Sequence, residues 1–333
     1  MAKWQYTKGL HNIGNECWAW LQPNGGWGWS NAGLITDGES SLLVDTLFDL
    51  KLTDEMLTGM RQSVPQAADI GILVNTHANG DHTFGNQLVT GARIIGSQGT
   101  ADEFSHVTPS VFHNLVTNPG SAGRAGEFVS ECFCPFDFSN ITLTPPTEVF
   151  SGETTVYVGD KEVRLIEVGP AHTKGDTLVY LPKEKTIYTG DILFNEGTPI
   201  AWAGTVANWI KACDYILGLD VEVVVPGHGP IADKSAVQRM RDYLAFVSAE
   251  TRYRYDTGMD FLAAAYDIDL GDYSDWDAPE RLIVTVQTLF DDFTEGQQHE
   301  RTPIPYFEFM KDFRIKHGLG TVHGEPCACG RVH

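Results

Sequence analysis

The chain is poor in three things, and each shortage excludes something. Six cysteines in 333 residues are too sparse for a disulfide scaffold. No stretch approaches the roughly 20 apolar residues of a membrane-spanning helix, and no apolar segment of the secretory kind follows the first lysines. Cations are scarce: 23 Lys and Arg against 44 Asp and Glu leave a net charge of −21. So acidic a chain repels phosphate backbones and anionic lipid, which speaks against nucleic acid and membrane as partners. These absences predict a cytoplasmic protein with reduced thiols. The 42% hydrophobic and 11% aromatic content is that of a globular chain with a substantial core.

The N-terminal third alternates short apolar runs with turns. Cys17–Leu21, Trp29–Ile35 and Ser41–Asp45 read as strands, with a hairpin turn at Pro23–Gly26. Residues 51–62 read as an amphipathic helix, and Ile70–Asn75 as a buried strand ending at Thr76-His77. Residues 100–150 are rich in Pro and Gly and read as a lid-like excursion with short helices. Strands resume at Thr154–Val158, Glu162–Val168, Thr177–Leu181 and Thr186–Thr189, then a helix near 206–217 and a strand at Val221–Val225. The order suggests a duplicated α/β sandwich over 1–232. Residues 233–318 read as a helical extension and 319–333 as an irregular tail.

Chemistry concentrates in four strand-end loops. Thr76–His82 holds His77, Asn79, Asp81 and His82 within six residues. His172, Asp191 and His228 each lie near glycine in later loops. His and Asp supply the N and O ligands that zinc and similar divalent metals take. Glycine lets backbone approach such a site closely.

With these motifs in this order, the sequence resembles the metallo-β-lactamase superfamily. The resemblance covers roughly residues 10–232 and includes the Ser30-Asn31 and Val44–Thr46 segments. It implies a four-layer αββα sandwich with the metal site at the edge between the sheets, here with the helical extension added. It further implies one metal site at the positions of His77, Asn79 and His172. A second falls at Asp81, His82 and His228, with Asp191 bridging the two. The chain departs from the family at Asn79, where a histidine is usual. A carboxamide is a poorer zinc ligand than imidazole, so one firmly bound Zn with a weak second site is expected. The implied reaction is hydrolysis: the metal lowers the pKa of a bound water to near 7. Asp81, Asp191, His172 and Asn79 are then the candidate catalytic residues. Asp81, His82, His228, Asp191, His77 and His172 are the candidate metal ligands.

The substrate is expected to be a small apolar or aromatic molecule with an electrophilic carbon. Trp27 and Trp29 follow the hairpin turn and Trp202 follows Asp191; all three are candidate substrate-binding residues. The Asn79 loop, the Trp-rich hairpin and the extension are similar to the chlorothalonil-type hydrolytic dehalogenases. Lactone, ester or thioester hydrolysis is the alternative, and an iron-dependent oxidoreductase on the same fold is a second. His323, Cys327, Cys329 and His333 could form a tail metal site, although Cys-x-Cys is tighter than the usual zinc spacing. The apolar side chains of 233–318 exceed what one docking face hides, which predicts a homodimer, with an intramolecular lid as the alternative.

Overall fold

The computed structural model of the protein describes residues 4–294, 303–320 and 322. Seven strands build the first sheet in sequence order: β1 Gly9–Gly14, β2 Cys17–Leu21, β3 Ala32–Asp37, β4 Ser40–Val44, β5 Ile72–Val74, β6 Arg93–Ser97 and β7 Glu148–Phe150. Five build the second: β8 Glu153–Val158, β9 Lys161–Glu167, β10 Thr177–Leu181, β11 Thr186–Tyr188 and β12 Val223–Val225. β1 to β4 and β8 to β11 form antiparallel meanders, while the connections through helices give the parallel pairs β4–β5, β5–β6, β6–β7 and β11–β12.

One core lies between the sheets and takes Leu21, Ile35, Val44 and Val74 from the first and Leu165, Val179 and Tyr188 from the second. The other face of each sheet, with residues such as Leu34, Leu73, Leu178 and Val224, packs under helices. Both faces of the central strands are therefore covered. That is why β5, β10 and β12 are buried throughout, while the edge strand β8 alternates exposed and part-buried residues. The expected αββα arrangement follows.

The helices are α1 Leu50–Ser63, the single turn α2 Gly80–Thr83, α3 Gln98–Glu103, α4 Pro109–Thr117, α5 Gly123–Phe133, α6 Val206–Gly218, α7 Lys234–Asp256, α8 Phe261–Asp267, α9 Leu282–Phe293 and α10 Pro303–Lys316. α1 begins where the Asp49 side chain accepts the Leu52 N–H at 2.7 Å. It buries Leu52, Met56, Leu57 and Met60 on one stripe.

The excursion at 100–150 carries the expected short helices, and α5 packs onto the core: it buries Phe128, Val129, Cys132 and Phe133 and lies against α10. In the extension, Tyr243, Leu244, Val247, Leu282, Ile283, Val286, Leu289, Phe307 and Phe313 are buried within the chain. One expectation needs correction, because the thiols are not all reduced: Cys17, Cys132 and Cys213 are buried free thiols but Cys134 is disulfide-bonded. A sparse cysteine count excludes a scaffold, not a single bridge. His323, Cys327, Cys329 and His333 lie outside the described residues. Among the described residues no helix is long and apolar enough to cross a membrane.

Candidate metal centre

Four loops meet at one edge of the sandwich. The loop after β5 and the turn α2 carry His77, Asn79, Asp81 and His82; His172 follows β9, Asp191 follows β11 and His228 follows β12. Close approach depends on Gly227, where an added Cβ would lie 2.0 Å from Asp191 Oδ1. Asn31 fastens the His228 loop, its amide donating to the carbonyls of Pro226 and Gly229.

Asp191 stands at the centre. Its Oδ1 lies 3.1 Å from His82 Nε2. Its Oδ2 lies 3.3 Å from His172 Nε2, 3.5 Å from His228 Nε2 and 3.8 Å from His77 Nε2. Asp81 Oδ2 is 3.3 Å from His228 Nε2. Two groups have ligand atoms mutually within 4.8 Å: His77, His172 and Asp191, and Asp81, His82 and His228. The structure thus brings all six expected ligands together. All but the half-buried Asp81 are fully buried.

Every imidazole is held from behind by its Nδ1. His82 Nδ1 lies 3.0 Å from Asp45 Oδ2, His77 Nδ1 3.0 Å from Thr76 Oγ1, His172 Nδ1 2.6 Å from the Ile200 carbonyl and His228 Nδ1 3.1 Å from the Gly25 carbonyl. A carbonyl or carboxylate can only accept, so Nδ1 of His82, His172 and His228 carries the hydrogen. Their Nε2 lone pairs then face the centre, which is how metal-binding histidines are usually oriented.

These lone pairs face carboxylate oxygens with little between them. His77 Nε2, His82 Nε2 and Asp191 Oδ1 are buried without a hydrogen-bond partner. Acceptors aimed at one another in a buried site repel, and a cation between them removes the conflict. The side chains therefore fit a divalent metal. Titration follows the same geometry. Burial alone would depress His82, but Asp191 and Asp81 outweigh it and raise its pKa. Burial alone would raise Asp191, but His228, His82 and His77 hold it well below the carboxylate range.

Asn79 is engaged differently. Its Nδ2 lies 2.9 Å from His172 Nε2. Because His172 carries its hydrogen on Nδ1, the amide N–H donates to the lone pair a metal would need there.

The expected aromatic wall needs correction at Trp27 alone. Trp27 is buried, with its ring 5.9 Å from those of Phe128 and Phe133 and 6.2 Å from that of Phe307. Its N–H donates to Glu280 at 2.8 Å. Contact with three rings buries more indole surface than an exposed loop tip would, so Trp27 joins the hairpin to α5 and the extension. Trp29 is half-buried on Phe136, and Trp202 is half-buried near Tyr306 and Phe307. A nearer aromatic group, missed in the sequence, is Phe194, three residues past Asp191. It stacks on His228 at 5.1 Å with the ring planes 4° apart and meets His172 at 5.5 Å.

The sequence profile of the metallo-β-lactamase superfamily matches residues 25–228, and the chain belongs to that superfamily. It is similar to the 2,4-dinitroanisole O-demethylase subunit alpha of Nocardioides sp. (strain JS1661), 36% identical over 90 residues, 25% of this chain and 26% of that protein. It is also similar to the β-lactamase-like protein 2 homolog of Caenorhabditis elegans, 28% identical over 216 residues, 65% of this chain and 60% of that one. Among solved structures, the sec-alkylsulfatase Pisa1 from Pseudomonas sp. shares the fold. Its TM-score is 0.65 at 17% identity, over 89% of this chain and 51% of that one. The chain thus spans about half the length of that structure.

Proposed function

We propose that the protein is a metal-dependent hydrolase of small apolar or aromatic substrates. It would hold one firmly bound Zn through Asp81, His82 and His228 with Asp191. The observation that carries this reading is the convergence of four imidazole Nε2 atoms, each ring fixed through Nδ1, on the carboxylates of Asp81 and Asp191. A bound divalent cation there supplies water acidified to near-neutral pKa and polarises the bond under attack. The chain's own residues orient that chemistry. Asp45 fixes the His82 tautomer, and Ile200 and Gly25 fix His172 and His228. Asn79 occupies the His172 lone pair, which favours one ion over two. His77 presents a free Nε2 beside Asp191, where it can take up or release a proton or join a weaker second site.

For the substrate, the name of the Nocardioides relative points to an activated aromatic ether, and hydrolytic substitution at an electron-poor aromatic carbon is the reaction we favour. Dehalogenation is one form of it. Lactone, ester and thioester hydrolysis are the comparison arms of the test. The protein, as purified and after zinc loading, is assayed against halogenated and nitro-substituted aromatics, lactones, esters and thioesters, with parallel elemental analysis. Turnover of an aromatic substrate with stoichiometric zinc supports the reading. Turnover confined to lactones or esters moves the substrate class. Stoichiometric iron with a visible absorption band replaces hydrolysis by oxidoreduction.

A further inference from the structure

Arg281 is a buried cation that the proposed reaction does not use, and its setting is adverse for structure alone. It is 3% exposed. Its guanidinium lies 4.3 Å from the Trp27 ring centroid and 5.2 Å from that of Phe194. The one side-chain hydrogen bond of Arg281 among the described residues runs from Nη1 to the Thr198 carbonyl at 3.3 Å, and Nε has no partner. The buried Thr198 hydroxyl has none either.

Buried charges are normally paired with a counter-charge. Here the neighbouring carboxylate is already taken: Glu280 accepts from Trp27 and from Arg314, each at 2.8 Å. Among the described residues no carboxylate lies within 4.0 Å of Arg281. Arg281 closes the short helical turn Pro279–Arg281 that leads into α9. The unpaired guanidinium and the unpartnered hydroxyl both call for an anion at one place. That place is one ring from the metal ligands, because Phe194 also stacks on His228.

We propose that Arg281, with the Thr198 hydroxyl, binds an oxyanion group carried by the substrate at a distance from the reacting carbon. Carboxylate, sulfonate and sulfate monoester share the required chemistry: two or more oxygens for a planar fork of donors. The proposal rests on the hydrolase reading for the word substrate. It also gives the extension a role in specificity. In a chain of net charge −21, anionic molecules enter only where a local cation selects them.

The test is calorimetric titration of the metal-replete protein with 4-nitrobenzenesulfonate, its neutral counterpart 4-nitrobenzenesulfonamide, and inorganic sulfate. The sulfonate is expected to bind at least about tenfold tighter than the sulfonamide. Arg281→Met should abolish that preference while leaving metal content and sulfonamide affinity unchanged, and Arg281→Lys should retain part of it. If Arg281→Met does not fold, Thr198→Val carries the test and should weaken the sulfonate alone. Equal binding of sulfonate and sulfonamide to the wild type overturns the proposal. So does full preference in folded Arg281→Met or, failing that, in Thr198→Val. Inorganic sulfate binding as tightly as the sulfonate overturns the assignment to substrate. Failure of the hydrolase reading shows separately, as a wild type without metal or turnover that still prefers the sulfonate through Arg281.

Discussion

Asp45→Asn separates orientation of the site from its ligands. Asp45 is buried and accepts three hydrogen bonds: from the Thr76 N–H at 2.7 Å, from Thr76 Oγ1 at 2.7 Å and from His82 Nδ1 at 3.0 Å. Its φ of +61° lies in the left-handed region, which Asn adopts as readily as Asp, so the backbone is undisturbed. The amide keeps one acceptor oxygen for the Thr76 backbone N–H and turns its own N–H toward His82 Nδ1 and Thr76 Oγ1. Two donors then face each other. Either that contact is lost, or His82 moves its hydrogen to Nε2 and gives up the lone pair aimed at the metal. Loss of such a supporting partner costs about 10–100-fold in metal affinity, or about 1.4–2.8 kcal/mol. The metal-free protein should lose about 1–3 kcal/mol for the charged hydrogen bond. Chelator competition reads the first quantity and denaturant unfolding of the metal-free protein the second. Unchanged metal affinity in a folded variant would refute the claim that Asp45 orients His82.

Asn79→His should release the His172 lone pair and supply a third imidazole, raising metal content from one ion toward two per chain; elemental analysis under limiting zinc reads it, and an unchanged ratio counts against the single-site argument. Trp27→Ala should cost about 3–5 kcal/mol of stability, since the ring is packed among Phe128, Phe133 and Phe307; a thermal shift near zero would return Trp27 to the substrate wall. Burial holds the Asp176 carboxyl up at about 7, despite donors from Ala171 and Thr173. The folded chain therefore keeps a proton that the unfolded chain releases near pH 4. Stability of the metal-free protein should fall as pH rises from about 4 to about 7 and then level, by up to about 4 kcal/mol. Asp176→Asn should remove this component, and identical pH profiles for the two chains would exclude it.

The parts of the site visible in the sequence are local. His77–His82 places four polar side chains in six residues after a buried strand, and His172, Asp191 and His228 each sit in a glycine-bearing loop. The supports are less visible because they come from afar. Asp45 is 37 residues from His82, and its neighbours in sequence mark only a strand end. The Ile200 and Gly25 carbonyls are backbone atoms, which no residue type announces. Phe194 reads as one more apolar residue. Trp27 reads as part of an open wall because it follows the hairpin turn. What buries it is α10, some 280 residues away, which lays Phe307 against it. Arg281 lies in a Pro-Glu-Arg stretch that reads as an ordinary helix start. Only the packing of Trp27 and Phe194 around it reveals a charge without a partner. Strand and helix periods were legible because burial on one or both faces dictates them; most ends shifted by one to three residues, as at β3, read as Trp29–Ile35 and found at Ala32–Asp37.

The central claim is that Asp81, His82, His228 and Asp191 hold a metal on which the activity depends. Its most direct test is metal stoichiometry, measured by mass spectrometry on the purified wild type and on His228→Ala after equilibration with limiting zinc. About one divalent ion per chain in the wild type and none in a folded His228→Ala is the expected result. A wild type that takes up no metal, or a variant that retains the full ion, would contradict it.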